Sequence, residues 1–348
     1  MPDPFVLHIG FPKAGSTALQ SVFAGLGHVA YLGKNDTYGK RGRTGGYQDS
    51  WAAAEFGTFI KEIAAIYDAR AVDCRPFRAA FDTVLSRNAG RSVLLSDEAL
   101  SSLSASLRGG GASIPQVLEN FRVVVDAPIT VVFVIREQRS LLKSLYAQMV
   151  KGGYPYRFDE FIATVLTKSQ YWAAPVLDYS RTIRLLQDFC DRAMVMPFER
   201  MTADDSYRAD CFARILGDGP GFETLPHVRE TRAAVPVHSW RKSNRHTRGW
   251  LTIPQTRYLD RHLITRVDRA VADPSLKRLQ GAADRQRREI AEWVAARRGA
   301  TGNAPHDGDA FALPSPLADH LDQTIRTWNT GLDELLPGHR WADMGYLT

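Results

Sequence analysis

The chain has 348 residues, 44% of them hydrophobic, and a formal charge of +6. That is enough apolar material for one large α/β domain or two small ones, and the modest positive balance suits a small anionic ligand without requiring nucleic acid. The three cysteines, Cys74, Cys190 and Cys211, show neither metal-ligand spacing nor a disulfide framework; no stretch approaches the roughly 20 apolar residues of a membrane span and no charged leader precedes the first apolar run, so the expectation is a soluble, cytoplasmic protein with no stable membrane insertion.

The apolar run from Phe5 to Ile9 predicts a buried strand, broken by Gly10, Pro12 and Gly15. Ser16 and Thr17 then open a helix whose apolar positions, Ala18, Leu19, Val22, Phe23 and Leu26, have helical spacing. A turn that delivers backbone N–H groups and a lysine to a helix N-terminus is an anion site, suited to phosphate. The bland alternative is a glycine-rich turn with no ligand. An ordinary nucleotide P-loop reads G-x-x-x-x-G-K-[ST]. Gly10 and Gly15 keep that spacing, but Ser16 stands where the lysine belongs, and the lysine is Lys13, inside the turn.

The next segment, Gly33 to Gly46, carries Lys34, Lys40, Arg41 and Arg43 and reads either as a lid near an anion or as a solvated loop. Residues 50–70 and 74–89 read as helices. Ser92 to Ser96 reads as a short strand ending in Asp97-Glu98, and 103–114 as a Ser/Gly-rich loop. Ile129 to Ile135 is the strongest strand; its continuous, largely β-branched run predicts burial on both faces, as in a parallel sheet. Arg136 follows at once, then a helix with Leu141, Leu142, Leu145 and Met149 on one stripe. Residues 157–167 and 175–190 read as helices, and Ala193 to Phe198 as a strand ending at Glu199. Strands alternating with helices predict right-handed βαβ crossovers and a parallel sheet. From about residue 205 the chain is mostly helical and polar, broken by Pro226, Pro236, Pro254 and the 299–309 stretch, and the Trp328-Asn329 and Trp341 to Tyr346 elements read as packing of a terminal helix. No linker separates the parts. The expected organisation is one domain over 1–348, with an α/β core at 1–204 and a helical layer at 205–348.

Pro12-Lys13-Ala14-Gly15-Ser16-Thr17 resembles the 5′-phosphosulfate loop of sulfotransferases that use 3′-phosphoadenosine 5′-phosphosulfate (PAPS). Arg136, with Ser144 eight residues later in the helix after a buried strand, resembles that family's 3′-phosphate element. The resemblance spans these two motifs and the βαβ order, and thins beyond the 193–198 strand. It implies a P-loop-like three-layer fold, a central parallel sheet flanked by helices, with the helical C-terminal layer added. It further implies PAPS as donor, 3′,5′-adenosine diphosphate (PAP) as product, no metal, and a hydroxyl or amine acceptor on a small molecule, lipid or glycan. Lys13 would reach the bridging oxygen between phosphate and sulfate. Ala14, Gly15, Ser16 and Thr17 would hold the phosphate, Arg136 would make a charge-assisted contact to the 3′-phosphate, and Ser144 would add a hydroxyl. Ligands of open α/β sheets sit at the carboxyl ends of the strands, where the Lys13 turn and Arg136 both fall.

The acceptor must lose a proton, which His, Glu or Asp can take. Glu98, just past the 92–96 strand, is the chosen base, and glycan-type sulfotransferases resemble this in using a glutamate. Asp97 is the next candidate, with Ser96 or Asp97 alternatively capping the following helix. The chain departs from the cytosolic animal branch of the family. Ala18 stands in place of a tryptophan, Arg241-Lys242-Ser243 only echoes a late Arg-Lys-Gly element, and the catalytic histidine has no counterpart. His8 lies inside the first strand and reads as structural; His28 reads as an exposed helix cap. These departures place the chain with bacterial or glycan-type enzymes. Arg229, Arg232, Arg241, Lys242, Arg245 and Arg248, against Glu230 alone, form either a wall for the 3′-phosphate or an acidic acceptor, or a solvated helix face.

Two competing readings stand beside this one. Val93 to Glu98 resembles a Walker B strand, which makes a nucleotide-dependent kinase or NTPase with Asp97 as the acid the alternative, although no lysine follows Gly15. The third is a non-catalytic nucleotide-binding module.

Overall fold

Five short apolar runs become the five strands of one all-parallel sheet: β1 (Phe5–His8), β2 (Val29–Gly33), β3 (Ser92–Ser96), β4 (Ile129–Ile135) and β5 (Arg192–Pro197). The structure is a computed structural model that describes residues 5–33, 74–101, 114–151, 157–167, 174–217 and 311–347. The strand order is β2-β3-β1-β4-β5. The chain therefore starts in the centre, moves out to β2, returns through β3, and crosses β1 to reach β4 and β5. This reversal opens a crevice at the carboxyl end of β1, between its neighbours β3 and β4.

Helices cover both faces, and β1 shows how. Side chains alternate along a strand. Phe5 packs on Phe81 of α2 (Arg75–Arg87) with ring centroids 4.6 Å apart, and on Phe121 of α3 (Ile114–Val124) at 6.2 Å. His8 points to the opposite face, 5.6 Å from Phe23 of α1 (Ser16–Gly25). Phe23 in turn meets Phe212 of α9 (Asp205–Leu216) at 5.3 Å. All of β1 and all of β4 are buried, as the largely β-branched run of β4 predicts.

Between β4 and α9 lie α4 (Gln138–Lys151), α5 (Phe158–Thr167), α6 (Ala174–Leu177), α7 (Tyr179–Phe189) and α8 (Phe198–Ala203). Leu141, Leu142 and Leu145 of α4 are buried on one stripe. The single helix expected at 175–190 is divided at Asp178. Its carboxylate accepts from the Arg181 amide at 3.0 Å and caps α7 instead of lying inside a helix. The strand expected to end at Glu199 ends at Pro197, which has no N–H to continue the ladder. Glu199 falls in the first turn of α8. The strand β2 carries no distinct sequence signal: Val29-Ala-Tyr-Leu-Gly33 is short and sits directly beside the glycine- and cation-rich segment that dominates local pattern.

Near the C-terminus, α10 (Ser315–Trp328) buries Leu317, Leu321, Ile325 and Trp328 and packs on α5 and α7; α11 (Leu332–Leu335) packs on α7. Asn329 pairs amide to amide with Gln138 at the start of α4: Gln138 Nε2 donates to Asn329 Oδ1 at 2.5 Å, and Asn329 Nδ2 to Gln138 Oε1 at 3.2 Å. Trp341 and Tyr346 are buried, in edge contact at 5.2 Å. The terminal residues therefore do pack, and they pack beside the end of β4. The three cysteines are free and buried, and no described helix is long and apolar enough to cross a membrane. The Gly33–Gly46 loop past Gly33, the 50–70 helix, the 103–114 loop up to residue 113 and the 229–248 cations lie outside the described residues.

Candidate functional site

The turn after β1 is built around one buried ring and one carbonyl. Ile9 N donates to Val132 O at 3.0 Å and carries the β1–β4 ladder one step further. Phe11, fully buried, lies 4.9 Å from Phe133 of β4 and 5.8 Å from Tyr179 of α7, which pins the turn to the sheet. The Phe11 carbonyl then accepts from Ala14 N at 3.2 Å and from the Ser16 hydroxyl at 2.8 Å. Lys13, at φ 72, is the one non-glycine residue with positive φ among the described residues, a conformation that side chains adopt only where the surroundings impose it. Gly15 has φ 79, and a Cβ there would lie 2.9 Å from Phe198 Cε2, so backbone and packing both demand glycine.

This geometry leaves the Lys13 and Thr17 side chains exposed, with Ala14 and Ser16 buried. The Ser16 hydroxyl donates to the Phe11 carbonyl, so Ser16 shapes the turn. No side chain caps α1.

Arg136 is fixed from both ends. The Tyr179 hydroxyl donates to Arg136 O at 2.5 Å and accepts from Arg136 N at 3.4 Å. Burial holds the Tyr179 phenol well above its usual range, so it keeps its proton for this bond. At the other end, guanidinium Nη1 donates to the Lys13 carbonyl at 2.7 Å, and the guanidinium lies 4.9 Å from the Phe198 ring centroid. Its Nε is buried without a hydrogen-bond partner. Lys13, Gly15, Arg136 and Phe198 thus meet at the carboxyl ends of β1, β4 and β5. Ser144 lies in the second turn of α4, half-buried.

Glu98 opens a 3₁₀ turn, Glu98–Ser101, directly after β3. It is half-buried, and its Oε2 accepts from Gln20 Nε2 of α1 at 3.0 Å. The turn is closed by Leu100 N to Asp97 O at 3.1 Å and by the Ser101 hydroxyl to Glu98 O at 2.8 Å. Asp97 is 3% exposed, and its amide donates to His8 O at 3.2 Å, so both acids follow the strand adjacent to β1. Ser96 does not cap this turn. Its hydroxyl meets His8 Nδ1 at 2.7 Å and also the Tyr31 hydroxyl, because its side chain points to the α1 face of the sheet.

His8 is structural, as its place in the strand implies. Burial pushes it down to about 4, against the pull of Asp97, and it is neutral near pH 7. Its Nε2 has no partner, and a Cβ on Gly10 would come within 2.8 Å of that atom. Gly10 is therefore required by packing against His8. His28 is half-buried, not the exposed cap expected of it, because the turn from α1 into β2 folds back on the domain.

Several residues beside the site carry no motif. Glu137 caps α4 by accepting from Arg139 N and Ser140 N, both at 2.7 Å. Glu199 accepts from Glu137 N at 3.0 Å and from the Tyr346 hydroxyl at 2.9 Å. Burial raises its carboxyl, while these bonds and Arg136 oppose the rise. Among the described residues no group of three or more His, Cys, Asp or Glu side chains converges as a metal site would. A cavity of about 320 Å³ lies between the end of α1, β2 and the Asn88–Arg91 turn. It shares no residue with the Lys13 turn, and Arg91 Nη2 is bound to the carbonyls of Gly27 and Val29 at 3.0 and 2.8 Å, so nothing in its lining converges on a ligand. No protein-family model matches the chain, and a search of curated proteins finds no match.

Proposed function

We propose that the chain is a PAPS-dependent sulfotransferase of the bacterial or glycan type, with a P-loop-like core. The observation that carries this reading is Lys13, held in the left-handed conformation between β1 and α1 and tied through its carbonyl to Arg136 across the β1–β4 crevice. The residues fit the donor: exposed lysine, uncapped helix amides and an arginine converge at one sheet edge, and Gly15 is a position that a Cβ would fill. The donor supplies an activated SO3 group on a phosphate leaving group. Lys13 stabilises negative charge as it develops on the leaving oxygen, and the amides of the α1 first turn hold the phosphate. Arg136 contributes its remaining guanidinium N–H groups to the 3′-phosphate. Glu98 takes the acceptor proton. The acceptor carries a hydroxyl or amine on a small molecule, lipid or glycan.

One observation favours a second reading, a nucleotide-dependent kinase or NTPase: Asp97 is buried at the end of β3, directly beside β1. A single thermal-shift experiment separates the two. A ligand at a hundredfold excess over its Kd stabilises the fold by about 2.7 kcal/mol. PAP without magnesium should raise Tm, and ATP with magnesium should not. The reverse result transfers the assignment to the kinase, and no response to either removes the nucleotide site.

A further inference from the structure

We infer that Gln20 is a positioning residue for the proposed base, orienting the Glu98 carboxylate from the same helix that presents the Lys13 turn; this rests on the sulfotransferase reading of the site. Gln20 is 3% exposed. A buried primary amide is costly unless its donors find partners, and Nε2 donates to Glu98 Oε2 at 3.0 Å. Gln20 sits one helical turn beyond Ser16, whose hydroxyl closes the turn onto Phe11. Glu98 follows β3, on the other side of the crevice floor. The bond therefore spans from the loop helix to the neighbouring strand end, and places the carboxylate relative to the turn instead of leaving it to a loop rotamer.

The chemistry of the donor is the second part of the argument. A lysine or arginine at position 20 would hold Glu98 in place but neutralise it, lowering its power to take a proton. A neutral amide fixes one oxygen without cancelling the carboxylate's negative charge. In the transfer, the acceptor oxygen forms a bond to sulfur as the bond from sulfur to the bridging oxygen breaks. The electron pair of the broken bond stays on the 5′-phosphate of PAP, and the acceptor proton goes to Glu98. A carboxylate that rotates away from the acceptor oxygen slows this step without changing donor affinity, since Gln20 contacts Glu98 and not the proposed phosphate cradle.

The test is a double-mutant cycle on the full chain. PAP release from PAPS is followed with whichever of water, simple alcohols, phenols, amines and sugars supports the fastest rate, and PAP affinity is measured by calorimetry. Gln20→Leu and the longer, flexible Gln20→Met should lower kcat about tenfold, with the Kd for PAP unchanged within twofold. Gln20→Glu, which keeps the shape but repels Glu98, should be worse than either. On a Glu98→Gln background, Gln20→Met should cost less than twofold. In the apo chain, the Tm shifts of Gln20→Met and Glu98→Ala should combine non-additively. If Glu98→Gln is impaired but both apolar Gln20 variants turn over normally, the positioning role is overturned and the base stands. If Glu98→Gln turns over normally, or PAPS is not consumed at all, the base assignment falls and the positioning role falls with it. If Gln20→Leu does not fold, Gln20→Met decides.

Discussion

The guanidinium of Arg136 donates to the backbone carbonyl of Lys13 at 2.7 Å, so the two cations of the site are joined through the main chain of one of them. The bond holds the backbone of Lys13, an exposed residue, in a conformation that costs on the order of 1 kcal/mol or more for a residue with a Cβ. The ends of β1 and β4 then behave as one unit, and a change at either residue reaches the other.

The first prediction concerns Lys13. Its side chain is exposed, so Lys13→Ala should leave the fold intact by circular dichroism and Tm. On the proposed mechanism this charge stabilises the leaving oxygen, so its removal should lower PAPS turnover by about a hundredfold or more. Near-wild-type PAP release by the folded variant would remove sulfuryl transfer from this turn.

Arg136→Ala carries two effects that binding measurements separate. Losing a charge-assisted contact costs on the order of 2 kcal/mol, so PAP should weaken by roughly thirtyfold. Loss of the brace on Lys13 should also weaken 5′-AMP, but less. Calorimetry with both ligands decides: equal weakening would mean that Arg136 serves only the turn and that the 3′-phosphate is read elsewhere.

The Lys13 turn was legible in the sequence because every element of it is local: a strand, two glycines, a lysine and a helix within one short stretch. Arg136 was legible for the same reason, as the residue after an unmistakable buried strand. Their direct contact was not, since it depends on β4 lying beside β1, which periodicity cannot tell. The same holds for Glu199, whose partners Glu137 and Tyr346 lie 62 and 147 residues away in sequence, and for Gln20, which reads as an ordinary helix residue until Glu98 is placed next to it. Ser-Asp before a helix is a strong local cap signal that offers Ser96 or Asp97 for the role; tertiary contact with His8 and Tyr31 takes the Ser96 hydroxyl out of it.

Tyr346→Phe removes the hydroxyl that donates to Glu199 Oε2 at 2.9 Å. The ring packing against Trp341 survives, but a buried carboxylate oxygen loses its donor. The stability loss should be about 1–3 kcal/mol, read as a lower urea midpoint with an unchanged m-value. A neutral result would mean that Glu199 is satisfied through the Glu137 amide alone.

Acid should destabilise the fold through His8. Its folded value, about 4, lies below the unfolded value of about 6.5, so the unfolded chain binds the extra proton between these limits. Stability is therefore full above pH 6.5 and falls as pH drops toward 4, by about 3 kcal/mol in all from this group. His8→Asn keeps a side chain able to pair with Ser96 and does not titrate. Urea midpoints of the two chains from pH 7.5 to 4.5 should diverge, with the wild type falling more steeply. Parallel lines would show that the imidazole takes up its proton equally in both states.

Glu98 is the deciding residue for the chemistry. It stands at the carboxyl end of β3, beside the strand that delivers Lys13, with one oxygen held by Gln20 and the residue only partly buried. Neither described histidine near α1 competes for the role: His8 is sealed in the core, and His28 sits in the turn leading into β2. Glu98→Gln keeps the size and can still bond to position 20, so it isolates the basic carboxylate. It should lower kcat by about a hundredfold or more with PAP affinity little changed. Asp97→Asn should act differently. Asp97 is buried and its charge acts on His8 and Tyr31, so this change should lower Tm more than turnover. Normal turnover by Glu98→Gln with the fastest acceptor, together with collapse of kcat in a folded Asp97→Asn chain, would move the base one residue back. With ATP and magnesium active in its place, the same pattern would identify Asp97 as the metal-binding acid of a kinase.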